Sequence, residues 1–290
     1  MARNPIILCE LLSETRKEIA SFAEALKKAA PGIGSHGLSE QEFWDAEIFR
    51  ASIKKLRGTQ AAYTAKKRGF MASVLNYMKS KGHIQKWEFT GTGERHDYII
   101  EMPGQTITAI ETKGCLDGNN TNIFERPPQA DEFIIWSLCQ NPGSDPRHNA
   151  WSGIHTRLSA EVIHRQQRVD GVIIWDMLCG TAGRPCPKLV ADPDRITIVD
   201  GRRLPPPCIY LFPRTIPDPR NNPTPRFWKI DELKLIQALL EAFKGAQSDA
   251  VEVLIEARMS GADVERRTRF FRRGEEFSSS SWTKVSRARR

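Results

Sequence analysis

The 290-residue chain contains no CxxC pair: its six cysteines, Cys9, Cys115, Cys139, Cys179, Cys186 and Cys208, are scattered. That spacing excludes a disulfide framework and the usual zinc modules, so the cysteines read as free thiols. Cys179, Cys186 and Cys208 could in principle share a zinc ion, but the GTAGRP spacer is unusual for a structural site and a fourth ligand is missing. No apolar run approaches the roughly 18 residues that cross a bilayer. The first residues, MARNPIILCELLSETRKE, become charged too soon for a signal peptide. A soluble, cytoplasmic protein of prokaryotic or phage type, with no membrane partner, is therefore expected. There is no GxxxxGK[ST] phosphate loop, which argues against a translocating helicase unless another chain supplies the motor. No serine or cysteine nucleophile arrangement is legible around His148.

What the chain does have is positive charge. Lys and Arg number 43 against 35 Asp and Glu, a net +8 with a pI of about 9.3. A polyanionic partner follows on electrostatic grounds, with nucleic acid leading.

The stretch that organises the rest is ERHDYIIEMPGQTITAIETKG, residues 94–114. Residues 98–102 and 106–112 are rich in β-branched and aromatic side chains, and Pro103-Gly104-Gln105 between them is a turn signal, so the pair reads as a β-hairpin. Asp97 opens it; Glu111 and Lys113 close it. Side chains alternate along a strand, so Glu111 and Lys113 share one face while Thr112 points away. A three-residue loop sets Asp97 opposite Glu111. A strict two-residue loop would leave it one off register and on the other face, so a bulge or a glycine-assisted three-residue turn is required. Two carboxylates on one face repel unless a cation lies between them, and Mg²⁺ prefers such hard oxygen ligands. A neighbouring lysine can orient or deprotonate a water and stabilise charge on a phosphate oxygen.

Asp97 on one strand followed by Glu111, Thr112 and Lys113 on the next resembles the PD-(D/E)XK nuclease superfamily. The resemblance implies an α/β fold with a central mixed β-sheet flanked by helices, a restriction-endonuclease-like core carrying helical N- and C-terminal additions. It implies that Asp97 and Glu111 ligate Mg²⁺, with Mn²⁺ able to substitute, that the Thr112 carbonyl adds a ligand, and that Lys113 serves the attacking water. His96 departs from the pattern, standing where the family often has proline. The upstream run 84–89, followed by Gly91-Thr92-Gly93, would complete a meander of three strands. An acidic residue from an upstream helix, Glu42 or Glu47, is a further candidate ligand.

Around this hairpin the chain divides into a helical N-terminal region (1–82), a core with a mixed sheet (83–228), C-terminal helices (229–265) and a basic, partly disordered tail (266–290). Residues 5–30 carry Leu8, Leu12, Ile19, Phe22 and Leu26 on one stripe, which could pack internally or against another subunit. Ser39 and Glu42 form a capping-box signal for a second helix running toward Gly58. A third, 59–79, bears Lys66, Lys67 and Arg68 on a basic face suited to phosphate. After Lys113 comes a polar loop with Asn119, Asn120, Asn122 and Arg126, residue types that read base edges; the next loop offers Arg147, His148, Asn149 and Trp151. Residues 132–139 and 169–177 read as apolar strands separated by a helix over 154–168, on which Glu161 and Gln166 could approach the site. Residues 195–199 and 208–212 are short strands, and eight prolines from Pro205 to Pro225 are expected to keep that segment on an edge. Residues 231–244 form a helix stopped by Gly245, and Ser248 caps a last one reaching Met259. Arg266 onward, with Phe270 and Phe271 among arginines, is expected to bind phosphates non-specifically.

The expected function is a metal-dependent endodeoxyribonuclease, a type II restriction endonuclease cutting a short double-stranded DNA site as a homodimer. The alternatives are a structure-dependent repair or recombination nuclease and a non-catalytic nucleic-acid-binding protein.

Overall fold

The computed structural model describes residues 13–29, 37–47, 64–91, 96–113, 126–138, 168–175, 177, 179–181 and 186–285. The protein is α/β, with one large mixed sheet of ten strands and few helices. Helices α1 (Ser13–Ala29) and α2 (Glu40–Asp45) precede α3 (Thr64–Ser80), which leads into the strands β1 (Lys86–Phe89), β2 (Tyr98–Glu101) and β3 (Ile107–Lys113). These three form an antiparallel meander. β4 (Glu132–Ser137) lies parallel beside β3, and β5 (Gly171–Ile174) parallel beside β4. A short helix α4 (Pro187–Ala191) and a small separate hairpin, β6 (Thr197–Val199) with β7 (Arg202–Leu204), lead to β8 (Cys208–Leu211). β8 pairs antiparallel with β5 and parallel with β9 (Ala250–Ser260), the chain between them carrying α5 (Lys234–Ala242). β10 (Asp263–Arg272) then folds back on β9, and β11 (Glu275–Ser279) and β12 (Thr283–Lys284) both pair with β10.

α3 forms because Phe70, Met71, Val74, Leu75 and Met78 recur at helical spacing, and all five are buried against the sheet. It ends at Gly82, whose φ of 78° suits a left-handed cap; the amide of His83 donates to the Met78 carbonyl at 2.9 Å. α5 shares this face, and the two helices enclose an aromatic cluster. Trp136 and Trp175 stack at 5.9 Å, and Phe70 and Phe243 meet Trp175 edge-on at 5.7 and 4.5 Å. Such pairs add about 0.5–1.5 kcal/mol each beyond the area they bury. The other face buries Ala109, Phe133, Ile135, Val172, Tyr210, Val251, Val253, Ile255 and Phe270. All six residues of β4 are buried, as its unbroken apolar run requires of a strand covered on both faces.

Glu132 locks these layers together. Its buried carboxylate accepts the Thr108 hydroxyl from β3 at 2.8 Å, the Leu235 amide at 3.1 Å and the Lys234 amide, so a side chain of β4 caps the start of α5.

The structure departs from expectation in three places. The helix expected from Ser248 to Met259 is instead β9: Val251, Val253, Ile255 and Ala257 point inward with a period of two. The tail expected to be partly disordered forms β10, β11 and β12, with only 286–290 outside the described residues. β8 is central rather than peripheral, because the prolines flank it at Pro205, Pro206, Pro207 and Pro213 and none enters its ladder. The expected helix 154–168 lies almost wholly outside the described residues; Arg168, its described end, is not helical.

Candidate functional site

The hairpin of β2 and β3 turns through three residues. The Met102 amide donates to the Thr106 carbonyl at 2.8 Å, and Gly104 and Gln105 take φ values of 84° and 67°. Glycine adopts that region at little cost, whereas Gln105 holds it under strain. The register runs from Glu101 against Ile107 to Tyr98 against Ile110, and continued unchanged for one more step it would set Asp97 against Glu111. The ladder changes at that step. The Asp97 amide donates to the carbonyl of Ile110, which already faces Tyr98, as in a bulge.

This step explains an unexpected contact. Thr112, expected to point away from the carboxylates, instead holds one of them: its amide donates to Asp97 Oδ2 at 2.7 Å and its hydroxyl donates to the same oxygen. Among the described residues no hydrogen bond falls on Oδ1. Glu111 is buried to 6 % exposure, and Lys113 closes β3 with its side chain outside the described residues. His96 is buried too, and its carbonyl accepts the Thr90 hydroxyl, which fastens the end of β1 to Asp97's strand.

Asp97 and Glu111 stand at a particular end of the sheet. β3, β4 and β5 are parallel and all present their carboxyl ends there, the end at which α/β sheets bind ligands. The donors available, two carboxylates and the Thr112 carbonyl, are hard oxygens that fit Mg²⁺ or Mn²⁺. Among the described residues no group of three or more His, Cys, Asp or Glu side chains gathers to hold a metal.

The basic residues divide. Lys66 and Arg68 are exposed on α3 and Lys67 is half-buried. The Arg68 guanidinium lies 4.3 Å from the centre of the Phe89 ring at the end of β1. Tyr98, beside Phe89, feels both charged neighbours: burial pushes its hydroxyl up to about 12, Asp97 adds to the rise and Arg68 opposes it. Arg126, by contrast, is committed to the fold. It donates to the Asp131 carbonyl at 2.9 Å and to the buried carboxylate of Asp170, which also accepts the Phe133 amide at 2.7 Å. Burial raises the Asp170 carboxyl, with Arg126 and the Phe133 amide working against it. Arg126 is therefore a clamp between β4 and β5 rather than a base reader.

Glu42 is likewise occupied. It accepts the Ser39 amide at 2.9 Å and the Ser39 hydroxyl at 2.7 Å, and the Ser39 bonds hold its carboxyl below the usual range. This is the capping box of α2. Glu47 follows that helix with a φ of 51°. Asn119, Asn120, Asn122, Arg147, Asn149, Glu161 and Gln166 lie outside the described residues. Sequence reasoning missed Thr112's grip on Asp97 and the exposure of Phe89; the only signal for the second was an aromatic at the end of a strand beside a basic helix.

Compared with family models, with curated proteins and with solved structures, the chain matches none.

Proposed function

We propose that the chain is a metal-dependent endodeoxyribonuclease hydrolysing DNA phosphodiester bonds, with Asp97, Glu111 and Lys113 as its working residues. The observation that carries this reading is the bonding of Asp97 to Thr112, which holds Asp97 against the strand bearing Glu111 at the carboxyl end of the parallel strands. The order of α3, an antiparallel meander and a parallel strand beside its third member supports this reading, and the helix expected over 154–168 lies almost wholly outside the described residues. The net charge of +8 suits a polyanionic substrate.

In this reading Asp97, Glu111 and the Thr112 carbonyl hold Mg²⁺, or Mn²⁺ in its place. An ion held there would supply positive charge to the phosphoryl oxygens and lower the pKa of a water. The amide and hydroxyl of Thr112 fix Oδ2 of Asp97, which leaves Oδ1 to face the ligand. Lys113 orients the attacking water and steadies negative charge on the phosphate. The water oxygen bonds to phosphorus while one ester P–O bond breaks; the attacking water gives up a proton and the departing ester oxygen takes one from solvent.

The leading substrate is a short, symmetric double-stranded site cut on both strands by a homodimer, since one such centre cuts one strand. A second reading, a structure-dependent repair or recombination nuclease, is favoured by the exposed Arg68–Phe89 pair near Asp97. Mixed DNA incubated with the protein and divalent cations, with fragment ends sequenced and the complex sized by light scattering, tests all of this. Mg²⁺ or Mn²⁺ should support cleavage, and Ca²⁺ should support binding with little turnover. Cleavage that persists undiminished in excess EDTA would contradict the metal. Binding without metal-dependent cleavage would leave a non-catalytic nucleic-acid-binding protein. A dimer leaving ends with a common sequence supports the restriction reading, and ends sharing no sequence support the second.

A further inference from the structure

The arginines of this protein are unequally neutralised. On the β9–β10 ladder Arg258 pairs with Glu265 at 2.8 Å, Arg267 with Glu256 at 2.7 Å, and Arg269 with Glu256 and Glu276. Arg68 is different: it is exposed and, among the described residues, makes no ion pair. Its partner is the ring of Phe89, which keeps 36 % of its surface open although it is large and apolar. Tyr98 meets the same ring edge-on at 5.3 Å and sets its orientation. Phe89 pairs with Tyr98, and at the next step of the ladder the Thr90 amide donates to the Asp97 carbonyl at 2.9 Å. A guanidinium that makes no ion pair among the described residues thus lies on an exposed aromatic ring whose strand partner, Tyr98, adjoins the candidate hydrolytic carboxylate.

We propose that Arg68 and Phe89 form a stacking platform for one base of a single nucleic-acid strand, placed so that the strand's backbone passes Asp97. The proposal rests on the reading of Asp97 and Glu111 as a hydrolytic site. A guanidinium plane and an aromatic ring both stack on any base, and the positive charge favours the adjoining phosphates. A base inside a duplex already has both faces covered, so the platform selects a strand that is unpaired or frayed beside the scissile bond.

Fluorescence anisotropy in EDTA, where cleavage plays no part, compares a labelled single strand of about 12 nucleotides with the blunt duplex of the same sequence. The probes are the wild type, Phe89→Ala, Phe89→Trp and Arg68→Lys, the last keeping the charge and losing the plane. Phe89→Ala and Arg68→Lys should weaken single-strand binding about tenfold and duplex binding less than about twofold, while Phe89→Trp retains both. Circular dichroism melting reports whether Phe89→Ala folds, and Arg68→Lys carries the test if it does not. The proposal fails if the wild type does not bind the single strand, if Arg68→Lys binds it like the wild type, or if the losses on strand and duplex are equal. Cleavage by the wild type in Mg²⁺ is scored separately. Its absence with the stacking pattern intact removes the hydrolase and keeps the platform; its presence with no stacking pattern removes the platform alone.

Discussion

Asp97 has one job in this structure and a second in the proposed reaction, and two substitutions separate them. Its carboxylate accepts two hydrogen bonds from Thr112, and in the proposed reaction it also ligates the cation. Asp97→Ala removes the acceptor from both donors. An unmet donor costs about 1–3 kcal/mol when fully buried. Asp97 and Thr112 are only half-buried, so water can reach the donors, and the two together should cost about 1–3 kcal/mol. For a chain of this size, that lowers the melting temperature by about 2–5 °C. Asp97→Asn keeps an oxygen that accepts the same bonds and loses only their charge assistance, about 0.5–1 kcal/mol. Its melting temperature should fall by less than about 3 °C. Activity should not follow this order. A neutral amide is a poor Mg²⁺ ligand, so both variants should lose cleavage by about a thousandfold or more, the worth of several kcal/mol of charge stabilisation. Thermal melting and a Mg²⁺-dependent cleavage assay on both proteins test the two jobs together. Wild-type cleavage by a well-folded Asp97→Asn would refute the chemical assignment, and an Asp97→Ala melting with the wild type would refute the grip of Thr112.

Two further predictions concern the scaffold. Glu132→Ala leaves the Thr108 hydroxyl and the Lys234 and Leu235 amides without their buried acceptor and should cost about 3–5 kcal/mol in urea unfolding; a loss under about 1 kcal/mol would contradict the lock. Asp249 bears on acid stability. Burial alone would raise its carboxyl, but Lys188, Arg195 and the Ala246 amide outweigh that and hold it below the usual value. A depressed folded value contributes stability that is fully present above the unfolded pKa of about 3.9 and is lost as pH falls through the folded one. Urea midpoints should therefore drop below about pH 4, and Asp249→Asn should flatten that drop; an equally steep drop in the variant would sink the assignment.

The candidate hairpin was readable because its signals are local. Pro103-Gly104-Gln105 marks the turn, and counting outward from a three-residue loop gives the register found. The same holds for the capping box of Ser39 and Glu42 and for the stripes of α3 and α5. What failed depends on distant partners. β9 was misread as a helix because a serine cap and scattered apolar residues satisfy a helical pattern as easily as the period of two that Val251, Val253 and Ile255 follow. Arg267 and Arg269 of β10 looked like part of a solvated tail because their neutralising glutamates lie on β9 and β11, across the ladder rather than along the chain. Arg126 looked like a base reader because its partner, Asp170, is 44 residues away.

That pairing also changes where the protein's excess positive charge can act. A basic tail free in solution would attract phosphate wherever it reached, but Arg258, Arg267 and Arg269 are held by Glu256, Glu265 and Glu276, and Trp282 covers two of them at 4.2 and 5.0 Å. An arginine already facing a carboxylate gains little from a phosphate, because the new contact must first break the old one. Arg68 lies over an aromatic ring and, among the described residues, has no such contact to break. Arg68 thus keeps its charge available at the amino-terminal turns of α3, next to the strand end that carries Asp97. β3, which bears Glu111 at that same end, is fixed through Thr108 and Glu132 to the start of α5. The cationic side of the candidate site is thus built from α3 and β1, and β3 reaches it from an anchor at the opposite end of the sheet.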